Sequence, residues 1–301
     1  MIYETIIVGA GIAGQTAAIY AARKRMNFLI ISKDIGGQFL ESGEVLNYPG
    51  IIKTTGAEFN SRMEKQLKFN GVAVKEEEVI KIEKKKEYYV IKTNKNTYQS
   101  KTIILATGAR ARRLNIPGED RLQNRGLTYC SVCDGPLFSG MEVAIIGGGD
   151  SALEAVDFML NIAKKIYLVN NSDTFKAHEY LQERIKSHPK VNVILNANTK
   201  EILGDKFVTG IKYEQNGKIK ELKVQAVIIE IGRVPNTEFV RGFAPVDEHD
   251  HIIIDAQKNT KIPGIFAAGD CASGHEYQYV IAAGEGCMAL LKAARYLAKK
   301  P

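Results

Sequence analysis

Two cysteines separated by two residues are the side chains of this sequence best suited to redox chemistry. Cys130 and Cys133 stand in Cys-Ser-Val-Cys, a spacing that lets a disulfide form within one turn, and a helix N-terminus would favour the thiolate. The alternative is half of a zinc site, but no second Cys-x-x-Cys or Cys-x-x-His exists, and Cys271 and Cys287 lack ligand spacing. We therefore predict a redox pair and no metal site.

The carboxyl group of Asp134 directly follows this pair. A carboxylic acid beside a departing thiolate can give it a proton, so Asp134 is a candidate general acid. Asp is also a common helix cap, and the two roles can coexist in one residue. Both interpretations of Asp134 are kept.

A glycine-rich turn near the N-terminus predicts a dinucleotide site. Gly9-x-Gly11-x-x-Gly14 follows an apolar strand pattern at 3–8 and precedes a helical pattern at 15–25. In such a turn the first glycine permits the tight bend, the second lets the backbone approach a pyrophosphate, and the third lets the helix pack on the strand. The anion then lies at the helix N-terminus. Taken alone, the motif could also serve packing only.

A second turn of the same kind strengthens the prediction of nucleotide binding. Gly147-x-Gly149-x-x-Ala152 follows a strand pattern at 142–146 and precedes a helical pattern that runs through residue 160. The fingerprint accepts alanine at its third position. Because one dinucleotide needs only one such unit, the duplication predicts a bound flavin together with the nicotinamide that reduces it.

The remaining patterns indicate how these turns are positioned. They predict strands at 79–83, 88–93, 97–100 and 165–169, a strand-rich stretch at 201–230, a buried strand within 264–269 that ends at Asp270, and an apolar helix at 278–300. Proline and glycine mark candidate hinges at 115–118 and 242–245. If the last helix packs on the first unit, the first domain is discontinuous. The predicted fold class is α/β, with two Rossmann-like dinucleotide-binding domains, the second inserted into the first.

Composition and charge exclude several functional classes. Apolar residues make up 45% and charged residues 25% of 301, as in an ordinary globular protein. The 41 basic and 34 acidic residues give a net charge of +7, but they form no basic stripe interleaved with aromatics, so we predict no nucleic-acid partner. Without an apolar run of about 18 residues or a leader pattern, we expect a cytoplasmic chain and no membrane partner.

Seven motifs, taken in order along the chain, carry a family resemblance. They are Gly9-x-Gly11-x-x-Gly14, Ile35-Gly-Gly-Gln38, Asn47-Tyr-Pro-Gly50, Ala106-Thr-Gly108, Cys130-x-x-Cys133-Asp134-Gly135, Gly147-x-Gly149-x-x-Ala152 and Ala268-Gly-Asp270. In this combination the chain resembles low-molecular-weight thioredoxin reductase. It is equally similar to the reductase core of the alkyl hydroperoxide reductase flavoprotein, and from this sequence we expect no extra N-terminal thioredoxin-like domain of the kind that those proteins carry.

The resemblance implies an FAD domain at 1–116 and 245–301 and a nicotinamide domain at 117–244 that carries the cysteine pair. The residues that it assigns to FAD are Gly9, Gly11, Gly14, Ser32, Gly36, Gly37, Gln38, Asn47, Val79, Thr107, Gly108, Asp270, Gln278 and Tyr279. The family usually reads Arg-Gln-Ala at 277–279, whereas this chain has Tyr-Gln-Tyr, so only the glutamine matches.

The resemblance also implies roles for the cysteines. Cys133 would face the flavin, Cys130 would attack the disulfide of a partner, and Asp134 would be the acid. Members of the family are homodimers whose nicotinamide domain swings between two states, and the candidate hinges lie where that motion needs them.

The nicotinamide site departs from the NADPH-using relatives. Its residues would be Gly147, Gly149, Asp150, Ser151, Ala152, Asn170, Asn171 and Lys176. Those relatives carry His-Arg-Arg after the second strand, where guanidinium groups bind the 2'-phosphate, whereas this chain has Asn-Asn-Ser at 170–172. NADH is therefore favoured over NADPH, with Asn170 or Asn171 as candidate partners of the ribose diol.

The favoured function is an FAD-dependent disulfide reductase that passes electrons from NADH or NADPH to a thioredoxin-like or glutaredoxin-like protein. A peroxiredoxin-system NADH reductase, similar to alkyl hydroperoxide reductase, is the enzymatic alternative. Outside enzymes, a flavin redox sensor or a zinc-stapled binding module would share these motifs without turnover.

Overall fold

The computed structural model describes residues 1–41, 44–274 and 277–299 of the chain. The chain divides into two compact units, of which unit 1 comprises residues 1–42, 46–110 and 234–301 and unit 2 comprises residues 43–45 and 111–233. The helices are α1 (Ile12–Arg23), α2 (Gly56–Phe69), α3 (Glu119–Leu122), α4 (Ser131–Asp134), α5 (Asp150–Met159), α6 (Glu179–Lys186) and α7 (Tyr279–Ala298). Short 3-10 helices lie at Gly37–Glu41, Gly135–Phe138 and Glu238–Val240.

The strands follow in chain order. They are β1 (Ile2–Ala10), β2 (Phe28–Ile35), β3 (Glu44–Val45), β4 (Thr54–Thr55), β5 (Val74–Glu76), β6 (Val79–Lys84), β7 (Tyr89–Thr93), β8 (Thr97–Leu105), β9 (Ala109–Ala111), β10 (Leu127–Thr128), β11 (Glu142–Ile146), β12 (Lys165–Val169), β13 (Val191–Ile194), β14 (Ala197–Gly204), β15 (Val208–Gln215), β16 (Lys218–Lys223), β17 (Ala226–Ile229), β18 (Arg233–Pro235) and β19 (Ile265–Ala267).

The main sheet of unit 1 has parallel strands at its centre. Its order is β5-β2-β1-β8-β7-β6, and β19 also pairs with β8. The last six residues of β1 are all buried, as expected for a parallel strand covered on both faces. The predicted meander is present, because β6, β7 and β8 are antiparallel neighbours. Strand β8 is longer than expected, since its second half leaves the meander and pairs in parallel with β1.

Helix α7, predicted from apolar spacing, packs on α1 within unit 1. Gly286 permits the close approach, because a Cβ atom there would collide with the backbone of Ala13. Small residues on both helices, among them Ala17 and Ala289, join the same buried cluster. Neither α7, which has 20 residues, nor any other helix in the described part of the chain has the length and apolar character needed to cross a bilayer.

Unit 2 contains a parallel sheet of order β10-β17-β11-β12-β13 and an antiparallel sheet of order β14-β15-β16. Strands β11 and β12 begin and end where the sequence predicts them. Helices α5 and α6 cover one face of the parallel sheet through a buried apolar cluster that includes Leu153, Val156 and Ile185. Each unit thus has a parallel sheet with a glycine turn after one of its central strands, which confirms the α/β class with two Rossmann-like units.

The limits of the two units differ from the domain boundaries expected at 116/117 and 244/245. In the structure they lie at 110/111 and 233/234. Leu114 and Ile116 pack against the core of unit 2, whereas Val240 and Ala244 are buried in the core of unit 1. Proline and glycine mark bends of the chain, but the apolar side chains around a bend decide which core it joins.

Candidate active site

A disulfide joins Cys130 and Cys133 in unit 2, with their Cα atoms 5.3 Å apart. Strand β10 ends two residues before Cys130, and α4 begins one residue after it, so Cys130 is the N-cap residue of that short helix. Its Sγ accepts a hydrogen bond from the N–H of Cys133 at 3.2 Å. Both cysteines are half-buried. The pair therefore occupies a turn in which a backbone donor points at the sulfur of Cys130.

The carboxyl group of Asp134 lies beneath this turn and is 8% exposed. It accepts a hydrogen bond from the hydroxyl of Thr128, and that hydroxyl oxygen also accepts a hydrogen bond from the N–H of Cys130 at 3.2 Å. The side chain of Asp134 caps neither α4 nor the following 3-10 helix. The structure thus shows no capping by this side chain, and its role as a general acid stays a prediction.

Apolar side chains beside the disulfide are exposed on the surface of unit 2. Val132 is 42% exposed and Leu137 is 43% exposed. Pro136, which precedes Leu137, and Arg125, five residues before Cys130, are exposed as well. Val132 lies between the cysteines and could have been identified from its position alone. Large apolar residues at such a turn are available to a partner.

The two glycine turns have the same local geometry at the residue that would face a pyrophosphate. Gly11 is the N-cap of α1 (φ −74°, ψ −172°), and Gly149 is the N-cap of α5 (φ −96°, ψ −175°). A Cβ atom on either glycine would meet no described atom within 4 Å. No side chain of the described residues caps either helix. Each turn thus leaves open space against free backbone donors, which suits an anionic group.

The other glycines of these motifs are required by packing. A Cβ on Gly9, which has φ +107°, would collide with the carbonyl oxygen of Ala106, and one on Gly14 would collide with that of Gly9. A Cβ on Gly147 would collide in the same way with the carbonyl oxygen of Glu230. The packing interpretation therefore accounts for these positions, and only Gly11 and Gly149 argue for a ligand.

Several residues predicted to bind FAD converge in unit 1. The Nε2 atom of Gln38 lies 3.4 Å from Oδ2 of Asp270, and the hydroxyl of Tyr279 donates to the carbonyl oxygen of Gln38 at 3.3 Å. Asn47 and Gln278 are hydrogen-bonded to each other at 3.2 Å. The segments around 38, 47, 270 and 278 thus meet.

Other residues predicted to bind FAD have side chains that are hydrogen-bonded or buried within unit 1. The hydroxyl of Ser32 accepts from the N–H of Ala10 at 3.0 Å, and Thr107 donates to the carbonyl oxygen of Asn236 at 2.7 Å. Val79 is buried in the unit 1 core. Three glycines have positive φ, namely Gly36 at +109°, Gly37 at +53° and Gly108 at +67°.

A carboxylate to which the sequence assigned no role holds the turn bearing Asp270. Glu285 on α7 accepts the N–H of Gly269 at 2.7 Å and binds the ammonium group of Lys258 at 2.6 Å. The Lys258 and Glu285 side chains are only 16% and 17% exposed. In the sequence, Glu285 could have been noticed as an acidic residue within a predicted apolar helix, but its partners Gly269 and Lys258 could not be identified without the fold.

The unusual Tyr277 also has a buried partner. Its hydroxyl lies 2.8 Å from Nε2 of His251, a residue 2% exposed, and Nδ1 of that histidine lies 3.4 Å from Asp247. Tyr277 directly precedes Gln278. Tyr277 is thus tied to the unit 1 core by a tyrosine–histidine contact.

The loop after β12 is braced across the second glycine turn. The amide group of Asn170 donates to the carbonyl oxygen of Thr174 at 2.8 Å, and its side chain lies against Gly148. The N–H of Lys176 donates to the carbonyl oxygen of Gly148 at 2.8 Å. Asp150 accepts the N–H of His178 at 2.8 Å. The buried Asn170 therefore organises the loop, and the exposed Asn171 is left as the candidate partner of a ribose diol.

Burial raises the pKa of Glu230, immediately after β17, to about 7. The carboxylate of Glu154 adds to this effect, whereas Arg233 and the N–H of Ser131 oppose it. Ser131 lies between the two cysteines. An ionisable carboxyl group thus interacts with the disulfide turn, and no motif of the sequence had indicated it.

The sequence matches a family of redox enzymes over nearly its whole length. The family model for pyridine nucleotide-disulphide oxidoreductases covers residues 3–286. An NADH dehydrogenase of Bacillus subtilis is 39% identical over 298 residues, and an alkyl hydroperoxide reductase protein of Staphylococcus epidermidis is 38% identical over 299 residues. These matches cover 98% of this chain but only 58% and 59% of the relatives, so the chain spans less than two thirds of their length.

Solved structures give a full-length match. Thioredoxin reductase from Streptococcus pyogenes has a TM-score of 0.93 and 36% identity, with 99% of this chain and 98% of that chain covered. The thioredoxin reductase from Giardia duodenalis has a TM-score of 0.92 and 31% identity, covering 98% and 99%. The resemblance predicted from the order of the motifs is thereby confirmed.

Proposed function

The chain belongs to the pyridine nucleotide-disulphide oxidoreductase family, and from that premise we propose that it is an FAD-dependent reductase of thioredoxin-like proteins that uses NADH. The observation that carries this proposal is the Cys130–Cys133 disulfide in a unit that also holds an open glycine turn. The likeness to thioredoxin reductases over both chain lengths supports the choice of partner.

The residues present fit both dinucleotides. Gly11 and the N-terminus of α1 would hold the pyrophosphate of FAD, with Asp270 and Gln38 near its ribitol. Gly149 and the N-terminus of α5 would hold that of NADH, with Ser151 exposed beside it. When bound, FAD would supply the chemistry that links hydride from a nicotinamide to delivery of an electron pair to a disulfide.

The cysteine pair then transfers that electron pair to the partner. After reduction, the N–H of Cys133 stabilises a thiolate on Cys130, which makes Cys130 the attacking sulfur. Its attack on the partner disulfide forms a mixed disulfide and releases a partner thiolate, to which Asp134 gives a proton. Cys133 then attacks Cys130, frees the second partner thiol and restores the internal disulfide.

A peroxiredoxin-system reductase is the second candidate, favoured by the 38% identity to the alkyl hydroperoxide reductase protein. The two candidates share the chemistry and differ in the protein that receives the electrons. Turnover of NADH with oxidised thioredoxin, a glutaredoxin-like protein and a peroxiredoxin, each tested separately, discriminates between them. We expect thioredoxin to give the largest kcat/KM. We further propose a cytoplasmic homodimer, as in the family that the chain resembles.

Replacing Glu285 by glutamine is expected to weaken retention of FAD. The variant loses the charge that pairs with Lys258 and weakens the bond to Gly269, so the turn bearing Asp270 becomes less ordered. Loss of a buried charged hydrogen bond costs about 1–3 kcal/mol, or roughly 5- to 150-fold in FAD dissociation constant. Flavin fluorescence after dilution measures the release. Lys258→Met is the matched control, since it keeps the bond to Gly269; equal FAD loss in both variants would assign the effect to the ion pair instead.

Placing a charge at Leu137 should weaken docking of the protein partner. Leu137 is 43% exposed near the disulfide, so Leu137→Asp should raise the partner KM about 5- to 30-fold at unchanged flavin reduction by NADH. Steady-state assays with thioredoxin and stopped-flow reduction of FAD measure the two effects. Phe207→Asp, at a 67% exposed apolar residue of the same unit, is the control and should keep the KM. A normal KM in Leu137→Asp would exclude this surface from docking.

A further inference from the structure

One buried carboxylate of unit 2 accepts hydrogen bonds from the backbone of residues 114–116, near the start of that unit. Glu119, the first residue of α3, is 2% exposed. It accepts the N–H groups of Leu114 at 3.0 Å, Asn115 at 2.6 Å and Ile116 at 3.4 Å. Asn115 has φ +56°, a conformation that non-glycine residues rarely adopt. The carboxylate therefore fixes residues 114–116, which we call the connector, in a bent conformation.

The same carboxylate also accepts a hydrogen bond from a residue next to the disulfide. The hydroxyl of Tyr129 donates to Oε1 of Glu119 at 2.8 Å. Burial and the carboxylate both raise the pKa of Tyr129, which keeps the phenol protonated as the donor. The guanidinium carbon of Arg113 lies 5.4 Å from the centre of the tyrosine ring, and its Nε lies 3.9 Å from Glu119. The guanidinium group of Arg113 thus compensates the buried negative charge of Glu119 beside the hydroxyl of Tyr129.

Tyr129 immediately precedes Cys130, so its position determines how the backbone enters the disulfide turn. The peptide that joins Tyr129 to Cys130 is also held through its N–H group, which donates to the hydroxyl oxygen of Thr128 at 3.2 Å. The bond from Cys133 N–H to Cys130 Sγ requires the two residues to keep their present separation. Displacement of Tyr129 would therefore disturb the donor that stabilises a thiolate on Cys130.

We propose that Glu119 is a positioning residue for the redox-active turn, acting through the hydroxyl of Tyr129. It ties the backbone that enters Cys130 to the connector, and thereby preserves the nucleophilicity of the Cys130 sulfur. The inference deepens the proposed function and rests on it for the role of Cys130 as the attacking thiolate. It adds a residue outside the motifs, eleven positions before the first cysteine, to the groups on which the reaction depends.

The test compares three variants of the full chain: Tyr129→Phe, Glu119→Gln and Asp120→Asn. Tyr129→Phe removes the hydroxyl that links Glu119 to the disulfide turn, together with its contact to Arg113, and leaves the connector bonds in place, whereas Glu119→Gln weakens the link and the connector bonds together. Asp120 is the matched control: it is the adjacent acidic residue, its side chain is 92% exposed, and its ion pair with Arg113 at 2.9 Å is a surface contact that contributes little. The reduced proteins are alkylated with iodoacetamide across a pH series, with Cys130 followed by peptide mass spectrometry. Hydrogen exchange reports on the amides of 114–116.

We expect Tyr129→Phe to slow alkylation of Cys130 at neutral pH by about threefold or more, with its pH profile displaced to higher pH and the connector amides still protected. Glu119→Gln should change both readouts, and Asp120→Asn neither. Alkylation of Cys130 at the wild-type rate in Tyr129→Phe would overturn the proposal, even if Glu119→Gln does not fold. Because alkylation requires no FAD, NADH or protein partner, failure of the proposed function would appear separately, as absent disulfide turnover by the wild-type protein.

Discussion

Replacing Cys130 by serine is expected to abolish reduction of the protein partner while the bound FAD remains reducible by NADH. Serine cannot form the thiolate that attacks the partner disulfide, and loss of an activated nucleophile lowers kcat by at least about a thousandfold. The residues proposed to hold the flavin lie in unit 1 and are unchanged by the substitution. Thioredoxin-dependent oxidation of NADH measures the loss, and stopped-flow bleaching of the flavin measures the step that should persist.

The companion variant Cys133→Ser distinguishes the roles of the two sulfurs. It retains the attacking Cys130 but lacks the sulfur that resolves the mixed disulfide, so the prereduced protein should trap the partner covalently through Cys130. Cys287→Ser is the control and should turn over normally, since Cys287 lies on α7 of unit 1. A mixed disulfide trapped through Cys133 in the Cys130→Ser protein would reverse the assignment.

NADH is expected to reduce the flavin with a kcat/KM at least as large as that of NADPH. The loop after β12 offers no guanidinium group at residues 170–178, and its one lysine, Lys176, is a single flexible ammonium group. The 2'-phosphate carries nearly two negative charges, and without a bidentate partner its desolvation is poorly compensated. Anaerobic stopped-flow with the two nucleotides, compared over a concentration series, gives both values.

Introducing arginine at Asn171 and Ser172 together should shift the preference towards NADPH. One or two charge-assisted hydrogen bonds contribute about 1–3 kcal/mol, roughly 5- to 150-fold in the ratio of kcat/KM values. The matched control carries glutamine at both positions, which lengthens the side chains without adding charge and should leave the ratio unchanged. A wild-type preference for NADPH would contradict the account and would point to another basic group at the phosphate.

The sequence predicted those strands and turns whose residue patterns are local to the element itself. Strands β11 and β12 and the glycine turns were located because apolar runs and glycines are local properties of the chain. The fingerprint assigned different roles to Gly9 and Gly11, but it could not identify Ala106 as the residue whose carbonyl oxygen excludes a Cβ atom at Gly9, because that contact depends on which strand lies alongside.

The residues that sequence reasoning missed act through partners far along the chain or through backbone groups. Glu119 binds backbone N–H groups, which no side-chain pattern reveals, and Glu285 bonds to Gly269 only because α7 packs beside β19. Asn170 was one of two candidate partners of the ribose diol, with Asn171, but its amide group is used within its own loop. The contact of Glu285 joins residues distant along the chain, whereas those of Glu119 and Asn170 are local and depend on a backbone conformation that side-chain patterns do not reveal.

The central claim is that electrons pass from NADH through FAD and the Cys130–Cys133 pair to a protein disulfide. Its most direct test is anaerobic mixing of the FAD-loaded protein with NADH and oxidised thioredoxin, with NADH oxidation and new thiols followed together. The account predicts a pair of thioredoxin thiols for each NADH oxidised, and none with Cys130→Ser. Flavin bleaching without new thiols would contradict the claim, as would a flavin that neither NADH nor NADPH reduces, which would indicate another electron donor such as a reduced deazaflavin or ferredoxin.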